Sequence, residues 1–115
     1  MVDQDVDGQQ IVCNVFALKK TAGIGINFYN ETVLFFYQRY SDFTPLESGS
    51  ISIANTKAKW QTAKYFDKSK ALQHYYICFS KDGYVYNIYF WGAPELMEKR
   101  FDELEMIATS FSLLN

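Results

Sequence analysis

The chain has little of what usually carries chemistry. Its 115 residues include a single histidine, His74, which excludes a metal centre built on several imidazoles. The two cysteines, Cys13 and Cys78, are too few for a disulfide framework. Both lie in apolar, strand-like runs and are read as buried free thiols, with a bridge between them as the alternative. No apolar run reaches the ~18 residues that a membrane-spanning helix needs, and stretches such as Val33–Tyr37 are core-sized. Charge of one sign is scarce as well. Eleven Lys and Arg against 13 Asp and Glu leave a formal net charge of −2 and a pI near 5.3. That balance disfavours a duplex nucleic-acid binder, whose affinity comes largely from neutralising phosphates. Lys19-Lys20 and Lys68–Lys70 are too short to form a basic patch alone.

Aromatic residues, by contrast, are abundant, at 18% of the chain. Such side chains suit pleated, half-buried surfaces, and the excess points to a sheet with apolar groups on much of both faces. The length is that of one domain, large enough to fold without metal or disulfides.

Met1–Gln10 is acidic and polar. It lacks the pattern of a secretory leader and is expected to be a ragged tail. Residues 11–115 then read as a single α+β domain. Ile11–Leu18 is a strand. In Ile26–Tyr40 the residues Ile26, Tyr29, Val33, Phe36 and Tyr40 recur at helical spacing, although the same stretch has β propensity and Asn30-Glu31 could tip a hairpin. The helix is the favoured reading. Ser41–Gly49, with Pro45 and Gly49, reads as a loop. Strands follow at Ser50–Ala54, Thr56–Phe66 and Leu72–Ser80. Asp82-Gly83 tolerates the positive φ of a type I′ turn and predicts a hairpin into Tyr84–Trp91. In that last strand Tyr84, Tyr86, Ile88 and Phe90 fall on one face, and Val85, Asn87, Tyr89 and Trp91 on the other. Neither set is polar, so both faces should be covered. Pro94 opens a terminal helix at a position where its missing N–H costs nothing. Met97, Phe101, Leu104, Ala108 and Phe111 mark its buried face. The expected architecture is an antiparallel sheet of about five strands flanked by two helices, in the order β-α-β-β-β-β-α.

Three segments carry a family resemblance. The closing pattern RFDELEMIATSFSLL is similar to a final helix running into Ser110-Phe111. HYYICFSKDGYVYNIYFWGAP is a strand pair leading directly into that helix. SDFTPLESGSISIANTKAKW looks like a helix exit, a short strand and a small-residue step into a long strand. Together they resemble the PsbP-like superfamily, which holds an extrinsic photosystem protein, a Ran-binding import factor and DcrB-type lipoproteins. The resemblance implies an antiparallel sheet flanked by helices and supports a helix over Ile26–Tyr40. The family usually has further strands before the position of Ile11, so the match is partial. Its members share no active site and dock onto different proteins, so the fold alone does not select a ligand.

Asp3, Asp5, Asp7 and Gly8 match the opening of a calcium loop, but the position that needs a bidentate acid falls on Asn14, so a solvated acidic tail is the better reading. Gly23-Ile24-Gly25 lacks the spacing of a phosphate loop. His74 and Cys78 share a strand face, roughly 13 Å apart at about 3.3 Å per residue, too far for a thiol–imidazole pair. No catalytic residue, cofactor or metal is assigned. Two surfaces remain as candidates for a protein partner. One is the set of sheet aromatics Trp60, Tyr65, Tyr75, Tyr89 and Trp91, which either fill the core or anchor an interface. The other is the acidic face of the last helix, Glu95, Glu98, Asp102 and Glu105, which is either simply solvated or docks a basic partner. The expectation is a non-catalytic protein-binding or accessory domain. The alternative is a carrier or enzyme of helix-grip type for small apolar ligands, with an aromatic-lined cavity holding inward polar groups such as His74 or Asn87.

Overall fold

The computed structural model describes residues 2–4, 10–19 and 28–110. Its elements are β1 (Val2–Gln4), β2 (Gln10–Lys19), α1 (Phe28–Arg39), β3 (Ser41–Ile53), β4 (Thr56–Asp67), β5 (Lys70–Lys81), β6 (Tyr84–Gly92), α2 (Pro94–Lys99) and α3 (Phe101–Thr109). This is an α+β protein with one antiparallel sheet. Five long strands and the three-residue β1 stand in the order β1-β2-β6-β5-β4-β3.

β3 to β6 form a meander, because each junction needs only two residues. The backbone turns at Ala54-Asn55, with φ of 51° and 61°, and at Asp82-Gly83, with φ of 53° and 83°. Positive φ at both central residues is the type I′ geometry that matches strand twist. The third turn, Lys68-Ser69, places Lys68 at φ 62°. β2 joins the meander from the other side, pairing along β6 from Ile11↔Gly92 to Lys19↔Tyr84. Gly92 sits where the backbones crowd. A side-chain carbon there would come within 2.7 Å of the Gln10 carbonyl oxygen.

Alternation along the strands divides the apolar residues between two faces, and each face has its own core. On one, Ile53, Ala58, Tyr75, Ile77, Ile88 and Phe90 pack with Leu96 and Met97 of α2 and Leu104 and Ala108 of α3. On the other, Phe43, Ala63, Tyr65, Leu72, Tyr76 and Val85 pack with Tyr29, Val33 and Phe36 of α1. The two sets expected along β6 do face opposite sides, and both sides are covered. Cys13 and Cys78 are free thiols, and they belong to opposite cores.

The helix over Phe28–Arg39 follows the expected spacing, since Tyr29, Val33, Phe36 and Tyr40 all join one core. Ile26 lies outside the described residues. Three elements differ from the sequence reading. Val2–Gln4, expected to be part of a ragged tail, is the short strand β1, paired antiparallel with β2. Ser41–Gly49 is the first part of an edge strand and not a loop. An outermost strand tolerates Pro45, whose missing N–H need not enter a ladder. Register shifts on either side of Pro45 absorb the irregularity. The terminal helix is broken at Arg100 (φ −109°, ψ 12°) into α2 and α3, both facing the same core. Phe111 and the residues after it lie outside the described region. So do Asp5, Asp7 and Gly8 of the acidic start and Gly23–Gly25. Among the described residues, no helix is long and apolar enough to cross a membrane, and no cluster of three His, Cys, Asp or Glu is placed to hold a metal ion.

Candidate functional site

The sheet face under α1 carries a buried polar chain. His74 stands on β5 among the rings of Phe36, Phe43, Tyr65 and Tyr89, fully buried. Burial pulls its pKa down to about 3, so the imidazole is neutral at physiological pH. A neutral imidazole has one N–H, and the geometry says where it is. Nε2 lies 3.0 Å from the Gln61 side-chain oxygen, which only accepts, so Nε2 donates there. Nδ1 is then the acceptor for the Tyr89 hydroxyl at 3.4 Å. Tyr65 in turn donates to Tyr89 across 2.8 Å. Burial also raises the pKa of both phenols, which stay protonated. His74 thus touches neither a thiol nor a carboxylate, and both its nitrogens are engaged by partners inside the fold. Asn87, equally buried, accepts from the Tyr76 hydroxyl through Oδ1, while its Nδ2 has no partner.

The candidate aromatics do not share one environment. Tyr65 and Tyr75 are interior, at 2% and 0% exposure. Trp60 is half-buried, edge-on to Tyr75 and tilted against Phe101 of α3. Tyr89 and Trp91 are also half-buried, on the α1 side, with ring centroids 4.9 Å apart. Sheet aromatics therefore fill both cores first, and those that reach the surface do so on opposite faces. Tyr89, Trp91, Tyr40 and Tyr65 border a shallow cavity of about 220 Å³, together with Asn14, Asp67 and Leu72.

The acidic candidates are more sharply placed. Glu98 of α2 and Asp102 of α3 stand on either side of the break at Arg100 and meet Glu47 of the edge strand across a second cavity. This one has a volume of about 320 Å³ and is walled by Leu46 and Phe101, with Thr62 and Gln73 from the sheet. Glu98 also has Lys64 Nζ at 3.5 Å, both groups about half exposed, so that pair is weak. No cation among the described residues pairs with Glu47 or Asp102. Gln73 is only 4% exposed, and its Oε1 has no hydrogen-bond donor. Leaving such an acceptor unmet costs about 1–3 kcal/mol. Glu105 is not part of this cavity. It is half-buried, and its charge adds to the burial that raises the pKa of Tyr75.

Two features escaped the sequence reading. Glu47 was hidden because Ser41–Gly49 reads as a loop, and only the strand brings it opposite the last helix. The outer side of α1 exposes Leu34, Phe35 and Tyr37, at 54%, 55% and 61%. Val33–Tyr37 is apolar on every side, so spacing alone could mark the buried residues without showing that their neighbours stay uncovered.

The architecture is an α+β one, a single antiparallel sheet with a few helices. No family model matches the chain, and no curated protein matches it. Its fold is shared with PA94 of Pseudomonas aeruginosa, a protein of unknown function suggested as a regulator. The likeness covers 100% of this chain and 97% of that one, with a TM-score of 0.68 and 8% sequence identity. At that identity the likeness shows the fold alone.

Proposed function

We propose that the protein is a non-catalytic binding domain that docks a protein partner by a basic side chain at the acidic cavity between β3 and the α2–α3 break. The observation that carries this reading is the buried, unmet Gln73 oxygen at a cavity bordered by Glu47, Glu98 and Asp102. A lysine or arginine entering there gains carboxylate partners, and its N–H groups supply the kind of donor that the amide oxygen lacks. Leu46 and Phe101 suit the aliphatic stem of such a side chain. Of the acidic stripe read from the sequence, Glu98 and Asp102 take the contact role and Glu105 does not. The sheet aromatics contribute by holding the frame, with Trp60 packed behind Phe101.

This reading is in keeping with the PsbP-like resemblance, whose members dock onto different proteins. The alternative, an apolar-ligand carrier, has less support. It calls for a hollow interior, whereas His74 has partners inside the fold and the two cavities described above open to solvent.

The test is affinity capture from native lysate, using the wild type, a Glu98→Lys/Asp102→Lys variant and a Glu105→Lys control, with folding checked by circular dichroism. The wild type and Glu105→Lys should recover the same partner, and the double variant should lose it. Recovery should also fall as salt rises from about 50 mM to about 500 mM, where exposed charges are screened. Equal recovery by all three proteins would remove the acidic cavity from the function.

A further inference from the structure

The shallow cavity on the α1 side joins two kinds of group that seldom meet by packing alone. Its wall is aromatic. Tyr40 stacks on Tyr65 with centroids 4.3 Å apart, and Tyr89 lies 4.9 Å from Trp91. The 2.8 Å hydrogen bond between the Tyr65 and Tyr89 hydroxyls ties the two ring pairs into one surface. Its charge is a lone carboxylate. Asp67, at the end of β4, lines the same cavity and makes no ion pair with any described residue. Burial is the main cause of the raised pKa of Tyr65 and Tyr89, and the Asp67 charge adds to it. The neighbourhood already attracts positive charge, with the Arg39 guanidinium 5.9 Å from the centroid of Tyr40.

We propose that this cavity binds a methylated ammonium group, with Tyr40, Tyr89 and Trp91 as the cation–π wall, Tyr65 holding Tyr40 and Tyr89 in place behind it, and Asp67 as the counter-charge. Ring quadrupoles attract a cation over their faces, and aromatic walls with a nearby acid are the usual means of holding quaternary ammonium. Size agrees. Pockets for drug-sized ligands start at roughly 300 Å³, so a space of about 220 Å³ suits a head group. The largely aromatic wall favours a methylated over a bare ammonium. A bare ammonium brings three donors that need acceptors. The Tyr89 hydroxyl is engaged on both sides, so Asp67, the Asn14 amide and the Tyr65 oxygen are the side-chain acceptors left for N–H groups, and most of the remaining wall is ring surface. A trimethylammonium has no N–H to satisfy, and it sheds water more readily. The same chemistry is offered by free choline or betaine and by a trimethyllysine side chain of a protein.

This inference does not depend on the acidic docking cavity, which lies on the opposite face of the sheet, and either can fail alone. The test titrates the intact protein with tetramethylammonium, choline and Nα-acetyl-trimethyllysine methylamide, followed by tryptophan fluorescence and by shifts of the Trp91 indole resonance. 3,3-Dimethylbutan-1-ol, the neutral isostere of choline, is the control. The expected result is saturable binding of all three cations, with the isostere at least about tenfold weaker. Asp67→Asn, at an exposed position, should keep the fold and weaken the cations about fivefold or more. Trp91→Leu should do the same, and Trp91→Phe should restore much of the loss. Tighter binding of the trimethyllysine compound than of choline would assign the site to a protein modification, and the reverse to a free metabolite. Equal binding of the isostere, no saturable binding of any cation, or an unchanged affinity in Asp67→Asn would overturn the proposal.

Discussion

His74 is the residue with the largest consequence for stability against pH. Its folded pKa, about 3, lies below the ordinary value of 6.5. As pH falls through 6.5, the unfolded chain takes up a proton that the folded chain refuses. Stability is therefore lost progressively from about pH 6.5 towards pH 3, and this group costs nothing above that window. Between pH 7 and pH 5 the loss is about 2 kcal/mol, from about 1.4 kcal/mol per pH unit below the unfolded pKa. Urea unfolding at the two pH values should show the wild type losing about that much more than a His74→Gln variant. An identical loss in both proteins would mean that the imidazole is not held neutral.

At the scale of elements, α1 offers an internal comparison. Phe35 and Phe36 are adjacent in sequence but 55% and 9% exposed. Phe36→Ala should cost about 3–5 kcal/mol, because it empties a site packed against His74, Phe43 and Tyr89. Leu34→Gln and Phe35→Gln should each change stability by less than about 0.5 kcal/mol while reducing binding of a hydrophobic dye. Thermal melts and dye fluorescence of the three variants check both halves. Much of this element was legible in the sequence, since Tyr29, Val33, Phe36 and Tyr40 repeat at helical spacing. The Asp82-Gly83 hairpin was legible too, because glycine announces positive φ. Ala54-Asn55 adopts the same backbone without that signal, as alanine rarely does. The edge strand was lost to Pro45 and Gly49, which break central strands but not outermost ones. As for the sites, Glu98 and Asp102 were visible as a helical stripe. Glu47, Gln73 and the ring cluster beside Asp67 depend on strand pairings that no local pattern encodes.

At the scale of the whole molecule, β3 is the outermost strand among the described residues and leaves one long edge of the sheet open there. Its residues are mostly exposed, and an unpaired ladder of that length invites a second chain. Pro45 and the register shifts around it are the features that spoil the template. Pro45→Thr should therefore favour self-association, seen as a concentration-dependent shift to larger species in size-exclusion chromatography with light scattering. A monomeric elution profile up to about 1 mM, a concentration at which exposed edges tend to meet, would show that the proline is not protective.

The strand order has a temporal side. The four-strand ribbon from Ser41 to Gly92 can assemble through neighbouring segments, each joined to the next by a two-residue turn. Among the described strands, the long partner of β2 is β6, the last of them in chain order. Pairings so distant along the chain form slowly, since the intervening segment must first be gathered in. During synthesis, then, the segment Gln10–Lys19 leaves the ribosome early and stays unpaired until β6 follows it. For that interval the apolar side chains of Val12, Val15 and Phe16 lack their strand partner, and a chaperone that shields them would act on a slow step of maturation.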